Sequence, residues 1–198
     1  SGVGAVFRAI PTDIPKLVDL GLPPIVSKIL NFHQGMILVT GSTGTGKSTT
    51  LAAMIDHLNR SRRFNIISLE DPIEFVHTSI QSQIIQREYG THVPSFAEGV
   101  RAAMREDPDV ILVGEMRDAE TIRMAMTAAE TGHLVFGTLH TTSAVKTIDR
   151  IIDALPTDER EQTKSFLSQS LLAVVTQALV KRTDSRGRRA TCEVMVMN

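Results

Sequence analysis

A chain of 198 residues with 42% hydrophobic content is long enough to bury one good core, so we expect a globular fold. The formal net charge of −1 excludes a general electrostatic attraction to nucleic acids or anionic membranes. Cys192 is the only cysteine, which excludes an internal disulfide and a four-cysteine zinc site, and no apolar run reaches the ~18 residues of a membrane span. We therefore expect a cytoplasmic protein without direct membrane insertion.

The first 24 residues differ in character from the rest of the chain. Residues 3–10 are strand-like but have no partner strand nearby, and a proline-rich connector runs from Pro11 to Pro24. Both ends of the chain look cut. We expect residues 25–198 to form the main folded unit.

A glycine-rich loop follows Met36–Thr40, an apolar segment that we predict to be a buried strand. The loop fits the pattern G-x-x-x-x-G-K-S/T and consists of Gly41, Ser42, Thr43, Gly44, Thr45, Gly46, Lys47, Ser48 and Thr49. Such a loop wraps backbone N–H groups around phosphates at the start of a helix, here predicted from Thr49 to Leu58. Lys47 would neutralise the β- and γ-phosphates of ATP, and Ser48 would hold Mg²⁺. An accidental glycine-rich turn would lack this flanking strand and helix.

Further apolar runs of strand length alternate with segments of helical periodicity. The additional predicted strands are Asn65–Leu69, Val110–Val113 and Leu134–Thr138. Ser95 is a predicted N-cap that forms a capping box with Glu98, and Asp118 is the predicted N-cap of a later helix. The alternation predicts an α/β fold with a mostly parallel sheet flanked by helices.

The pattern changes after Pro156. We predict helical segments around Asp158–Leu167 and Ser168–Thr176, and then strands at Gln177–Lys181 and Ala190–Val196. These elements would be helices and a β-hairpin appended to the α/β unit.

Carboxylates follow two of the predicted strands. Glu70, Asp71 and Glu74 come after the second strand, at the edge where an open parallel sheet binds ligands. Hydrolysis needs a carboxylate that activates water, although a solvated acidic loop would have the same composition. Glu115 follows the third strand, which resembles a Walker B strand, but Gly114 stands where an aspartate is usual. We therefore expect Glu115 to contact Mg²⁺ through water and Glu74 to be the stronger candidate for the general base.

A histidine stands at each end of the fourth predicted strand. His140 follows the strand and could hydrogen-bond the γ-phosphate or the attacking water, because an imidazole with a pKa near ~6.5 responds to that charge. His133 precedes the strand, and for this residue a structural role is the alternative to a catalytic one.

Four ordered motifs resemble the PilT family of type IV pilus retraction motors, within the secretion-ATPase superfamily. The motifs are GSTGTGKSTTLAAMID as Walker A, ISLEDPIEFVH as the Asp box, REDPDVILVGEMRDAET as Walker B and TAAETGHLVFGTLHTTSAVKTIDRI as the His box. The resemblance implies a RecA-like ATPase domain at residues 25–198 that binds ATP and Mg²⁺ and assembles as a homohexamer. It also implies that residues 1–24 are the exit strand of an N-terminal PAS-like domain and a linker.

The resemblance implies roles for individual residues as well. Lys47 and Ser48 would bind phosphate and Mg²⁺, Glu74 would be the base and Glu115 would support the metal. His133 and His140 would belong to the strand that senses the nucleotide. Arg8 and Arg150 resemble arginines that the family places near nucleotide or domain contacts. The alternative is that both are ordinary surface arginines without a role in the site.

The function implied is ATP-driven pilus retraction, with a pilus platform protein of the inner membrane as the partner. A PilU-like accessory retraction ATPase is a close alternative, whereas the single cysteine argues against relatives that carry a tetracysteine zinc insertion. A nucleic-acid translocase would need a basic surface that bears aromatic residues, yet aromatics are only 4% of the chain. We therefore expect no nucleic-acid partner. A nucleotide-binding regulatory module remains the third possibility.

Overall fold

The computed structural model describes residues 4–5, 13–184 and 187–197. Its strands are β1 (Gly35–Thr40), β2 (Asn65–Glu70), β3 (Gln83–Glu88), β4 (Val110–Val113), β5 (Leu134–Leu139), β6 (Leu171–Lys181) and β7 (Arg188–Val196). Its helices are α1 (Ile25–Ile29), α2 (Lys47–Ser61), α3 (Phe96–Ala103), α4 (Ala119–Glu130), α5 (Ala144–Ala154) and α6 (Arg160–Ser170).

These strands form one sheet in the order β3-β2-β4-β5-β1-β6-β7. Neighbouring strands are parallel except for β6 and β7, which are antiparallel. The register pairs Thr40 at the end of β1 with Leu139 at the end of β5, and Leu69 of β2 with Val113 of β4. The loops that follow these four strands therefore meet at one edge of the sheet, and the predicted α/β fold is confirmed.

Helices cover both faces of the sheet. Ile37 and Val39 pack on one face with buried residues of α1 and α2, whereas Met36 and Leu38 pack on the other face with residues of α3 to α6. This division follows from the alternation of side chains along a strand. Within the described ranges, none of the helices combines the length and the apolar character needed to cross a membrane.

The predicted helix starts are confirmed by their caps. The Ser95 hydroxyl accepts a hydrogen bond from the N–H of Glu98 at 3.1 Å, and the Asp118 carboxylate accepts one from the N–H of Thr121 at 2.8 Å. Each bond satisfies a backbone donor that the first turn of a helix leaves unpaired. The Glu98 carboxylate forms an ion pair with Arg101.

The helix predicted at Ser168–Thr176 is wrong from Leu171 onwards. Helix α6 ends at Ser170, and Leu171 begins β6, which runs parallel to β1 before it turns back into β7. A short, continuously apolar segment has no periodicity that separates a buried strand from a buried helix. The predicted hairpin is present, and its first strand extends the central sheet rather than standing apart from it.

Strand β3 has no counterpart among the predicted strands. Its sequence Gln83–Glu88 contains only two apolar residues, Ile84 and Ile85, and it forms the edge of the sheet beside β2. An edge strand is half exposed, so it lacks the apolar run that identifies a central strand.

The amino-terminal segment is described only in part. Residues 6–12, which include Arg8 and most of the predicted first strand, lie outside the described residues. Within the connector, Leu17–Leu20 forms a 3₁₀ turn, and Leu17 is buried in the core beside α2. This part of the connector is therefore packed against the sheet domain.

Candidate active site

The glycine-rich loop joins the end of β1 to the start of α2. Gly46 caps α2 with a positive φ of 88°, and Gly41 has a φ of 141°. A Cβ atom on Gly46 would lie 2.9 Å from the side-chain nitrogen of Gln177, and one on Gly41 would collide with the backbone oxygen of the same residue. Both positions therefore need glycine for conformation and for space.

The Lys47 side chain extends into the centre of the sheet edge at which the loops after the parallel strands meet. Its Nζ donates to the carbonyl oxygens of Gly41 at 2.8 Å and Ser42 at 3.1 Å, and it lies 3.5 Å from Nδ1 of His140. Burial lowers the pKa of the ammonium group, while the charges of Glu115 and Glu74 raise it. Because the loop carbonyls can be exchanged for phosphate oxygens, this lysine is placed to bind an anion.

Ser48 and Glu74 are in direct contact. The Ser48 hydroxyl donates to Oε1 of Glu74 at 3.1 Å. The predicted metal ligand and the predicted base, which are distant in sequence, are thus brought together. The arrangement sets a carboxylate beside the position where a terminal phosphate would lie.

The carboxylate of Glu115 connects the other predicted residues. Its Oε1 is 2.8 Å from Nε2 of His140, and its Oε2 pairs with Arg117. The hydrogen bond from Arg117 is the main cause that lowers the pKa of Glu115, although burial acts in the opposite direction. Glu115 is therefore held as an anion close to Lys47, and its role near a metal ion stays a prediction.

Glu70 is a further carboxyl group at the cavity, and it is half-buried. Burial raises its pKa, and hydrogen bonds from Gln86 and Ser68 partly offset that effect. Ser68 Oγ donates to Glu70 Oε1 at 2.7 Å, and Gln86 Nε2 donates at 2.9 Å. With two donors on one oxygen, Glu70 is less available for water activation than Glu74.

Together these groups line a cavity of about 680 Å³ at the carboxyl edge of the sheet. The hairpin contributes Leu179 and Arg188 to its wall. A volume of this size matches pockets that enclose small-molecule ligands. The residues that follow β1, β2, β4 and β5 thus form one site.

The residues present fit a magnesium ion that arrives with its nucleotide. No cluster of three or more His, Cys, Asp or Glu residues that could hold a metal ion alone occurs in the described part of the chain. Mg²⁺ usually takes one or two protein oxygens and completes its shell with phosphate oxygens and water. Ser48 and the nearby carboxylates of Glu74 and Glu115 supply oxygens of that kind.

The structure explains why glycine replaces the usual Walker B aspartate. The Gly114 N–H donates to the Leu69 carbonyl at 2.7 Å, and its own carbonyl accepts from the Thr138 hydroxyl. A Cβ on Gly114 would lie 2.7 Å from the Leu69 oxygen and 3.2 Å from the Glu70 Cα. The close approach of β4 to β2 leaves no room for any side chain here.

We expect Gly114→Ala to lower the free energy of unfolding by about 1–3 kcal/mol, because the neighbouring atoms belong to the backbone and cannot rotate away. Urea unfolding followed by circular dichroism measures the change. Gly99→Ala is the matched control, since a Cβ there meets only the flexible end of the Leu69 side chain. Equal stabilities for Gly114→Ala and Gly99→Ala would contradict the close approach.

His133 and Arg150 are not brought into this cavity. His133 lies before β5 at the opposite edge of the sheet, where its Nδ1 donates to the Ala128 carbonyl at 2.8 Å. Since a six-residue strand spans roughly 20 Å, the expectation that both histidines belong to one site is corrected. Arg150 is exposed on α5 and is absent from the cavity wall. Arg8 is outside the described residues.

Gln177 is a site residue that sequence analysis missed. Its side chain accepts from the Thr50 hydroxyl and donates to the Thr45 carbonyl, both at 2.8 Å, and only 4% of the residue is exposed. It therefore ties β6 to the middle of the phosphate loop at Thr45 and to the first turns of α2 at Thr50. Its place in a predicted strand gave no signal of this contact, although a buried glutamine in a strand is unusual enough to need a partner.

Comparison with known proteins was consistent across sequence and structure. The family model for type II/IV secretion system proteins matches residues 20–197. The chain is 57% identical over 197 residues to the Twitching motility protein of Neisseria gonorrhoeae, covering 100% of this chain and 53% of the relative. It is 53% identical over 195 residues to the type IV pilus retraction ATPase PilT of Pseudomonas aeruginosa, covering 98% and 56%.

A solved structure of the pilus retraction motor PilT with bound ADP superimposes with a TM-score of 0.94 at 49% identity. The match covers 96% of this chain and 55% of that one. The chain therefore spans about half the length of the relatives it matches.

Proposed function

The chain belongs to the family of type II/IV secretion system proteins, and we propose that it is the ATP-hydrolysing core of a motor that retracts type IV pili. The observation that carries this proposal is the contact of Ser48 with Glu74 beside Lys47. It combines a phosphate loop with a carboxylate that can activate water. The names of the relatives supply the process in which the hydrolysis is used.

Each residue in the cavity has a chemical task in this proposal. The N–H groups of the loop and the Lys47 ammonium bind the phosphates and offset their charge. Ser48 would hold Mg²⁺, which would supply further neutralisation of the phosphate charge. Glu74 accepts the proton of the attacking water, and Glu115 keeps His140 oriented towards the terminal phosphate.

Assembly and location extend the same proposal. We propose that the protein acts as a homohexamer, that it meets an inner-membrane platform protein of the pilus, and that it is cytoplasmic and peripheral to that membrane. The name of the P. aeruginosa relative supports a place in the pilus machine, and the exposed Arg150 on α5 offers a surface that a neighbouring subunit could contact. The division into a linker at residues 1–24 and an ATPase domain at residues 25–198 remains a prediction.

A chimaera tests the proposed process. Residues 1–198 would replace the matching segment of the P. aeruginosa PilT protein, and twitching of the corresponding deletion strain would be measured. We expect the chimaera to restore twitching and the same chimaera with Lys47→Ala to fail. A chimaera that is stably expressed and hydrolyses ATP without any retraction would contradict the pilus assignment.

We expect Lys47→Ala to weaken ATP binding by about 10- to 150-fold, because a lost charge-assisted contact costs about 1.5–3 kcal/mol. Calorimetric titration with ATP and Mg²⁺ measures this affinity. Lys164→Ala is a suitable control, since Lys164 pairs with Glu161 on the surface of α6. Equal affinities in both variants would remove the phosphate-loop assignment.

A further inference from the structure

The loop that carries Glu74 is fixed at alternate residues by side chains of β3. The Ile73 N–H donates to Oε2 of Glu88 at 3.1 Å, and the His77 N–H donates to Oε1 of Gln86 at 2.8 Å. Between them, Gln86 Nε2 donates to the Phe75 carbonyl at 2.8 Å. Three backbone groups on both sides of Glu74 are thus bound by two side chains.

Gln86 and Glu88 can act together because they are two residues apart in a strand. Side chains at such positions extend to the same side of the backbone. The backbone of β3 pairs with β2, so the loop after β2 is held to the sheet through these side chains. This arrangement needs polar side chains on an edge strand. The same polar side chains made β3 difficult to predict from the sequence.

Gln86 also connects the loop to the half-buried Glu70 at the end of β2. Its Nε2 donates to Glu70 as well as to Phe75, and its Oε1 accepts from His77. The amide therefore supplies both a donor and an acceptor, which neither a carboxylate nor an apolar side chain of similar size can do. With residues 73, 75 and 77 bound to β3, the Glu74 side chain lies on the other side of the loop and reaches Ser48.

We propose that Gln86 is a positioning residue that holds the Glu74 carboxylate at the distance and angle required for water activation, with Glu88 as a second support. The inference rests on the proposed role of Glu74 as the base. Gln86 itself has no contact with the reacting atoms. Since a misplacement of about 1 Å can cost about 100-fold in rate, its loss should lower kcat for ATP hydrolysis by about 10- to 100-fold. Affinity for ATP depends on Lys47 and the loop, so it should change by less than about threefold.

The test compares Gln86→Met with Gln83→Met in the complete protein. Both variants make the same chemical change on β3, but the Gln83 side chain is exposed, whereas Gln86 binds the loop at Phe75 and His77. We expect Gln86→Met to lower kcat with nearly unchanged ATP affinity, and Gln83→Met to behave as the unchanged protein. A kcat equal in the two variants, or a matching loss of ATP affinity, would overturn the proposal.

A second variant covers the case in which Gln86→Met fails to fold. Gln86→Glu keeps the size of the side chain and the acceptor for His77, but it loses the donor to Phe75 and Glu70. We expect a folded protein with reduced kcat. A folded Gln86→Glu protein with normal kcat would contradict the positioning role.

A double variant separates this inference from the function on which it depends. In a Glu74→Gln background the base is already absent, so Gln86→Met should lower the remaining rate by less than about threefold. A full additional loss would show that Gln86 acts on something other than Glu74. A normal hydrolysis rate in Glu74→Gln alone would overturn both the role of Glu74 as the base and the positioning role of Gln86. A low rate in Glu74→Gln together with a normal rate in Gln86→Met would overturn only the positioning role.

Discussion

Glu74→Gln is expected to lower ATP hydrolysis by about 10²–10⁴-fold while ATP still binds. The substituted amide keeps the size of the side chain, and its oxygen can still accept the Ser48 hydrogen bond seen at 3.1 Å. It cannot accept the proton of the attacking water. Single-turnover hydrolysis at saturating ATP measures the rate, and calorimetry of the same sample measures binding.

Two further variants make the result specific. Glu120→Gln removes an exposed carboxylate in the first turn of α4 that pairs with Arg101 of α3 and is not part of the cavity wall, so it should leave the rate unchanged. Glu115→Gln removes the partner of His140 and Arg117. If Glu74→Gln hydrolyses ATP at the normal rate, Glu74 is not the base and Glu115 becomes the next candidate.

The second large effect concerns assembly. If Arg8 or Arg150 completes the site of a neighbouring domain or subunit, the isolated chain should bind ATP through Lys47 and Ser48 yet hydrolyse it slowly as a monomer. Arginines supplied to a phosphoryl-transfer site are worth up to about 10³–10⁵ in rate. Specific activity should therefore rise steeply with protein concentration, and mass in solution should rise in parallel.

Arg150→Ala tests which arginine is responsible. The variant should keep its ATP affinity but lose most of the increase in specific activity that follows assembly. Arg105→Ala, on another exposed segment, should keep that increase. High specific activity that is constant from the dilute monomer upwards would refute a shared site. The chain would then be an autonomous ATPase, and assembly would serve force transmission alone.

Local sequence was sufficient for the central strands and for the phosphate loop. Val110–Val113 is a continuous apolar run, Leu134–Leu139 is apolar except for Gly137 and Thr138, and all of these residues are buried. The loop was identifiable because its glycines, lysine and serine are adjacent in sequence. β3 and the first half of β6 were not identifiable, since one is too polar for a central strand and the other is apolar enough for either kind of element.

The site was predictable to the extent that its residues follow strands. Glu74, Glu115 and His140 come after different parallel strands, and parallel strands bring such residues to one edge. Gln86, Arg117 and Gln177 were not found because their partners depend on how loops fold back over that edge. His133 was grouped with His140 by motif, although a strand separates the two.

The most direct test of the account is a crystal structure of the chain with a slowly hydrolysed ATP analogue and Mg²⁺. The account predicts the β- and γ-phosphates within hydrogen-bonding distance of the loop N–H groups and Lys47, with Mg²⁺ on Ser48 and a water between the γ-phosphate and Glu74. Phosphates bound elsewhere, or a Glu74 carboxylate turned away from the γ-phosphate while another group holds the water, would contradict it.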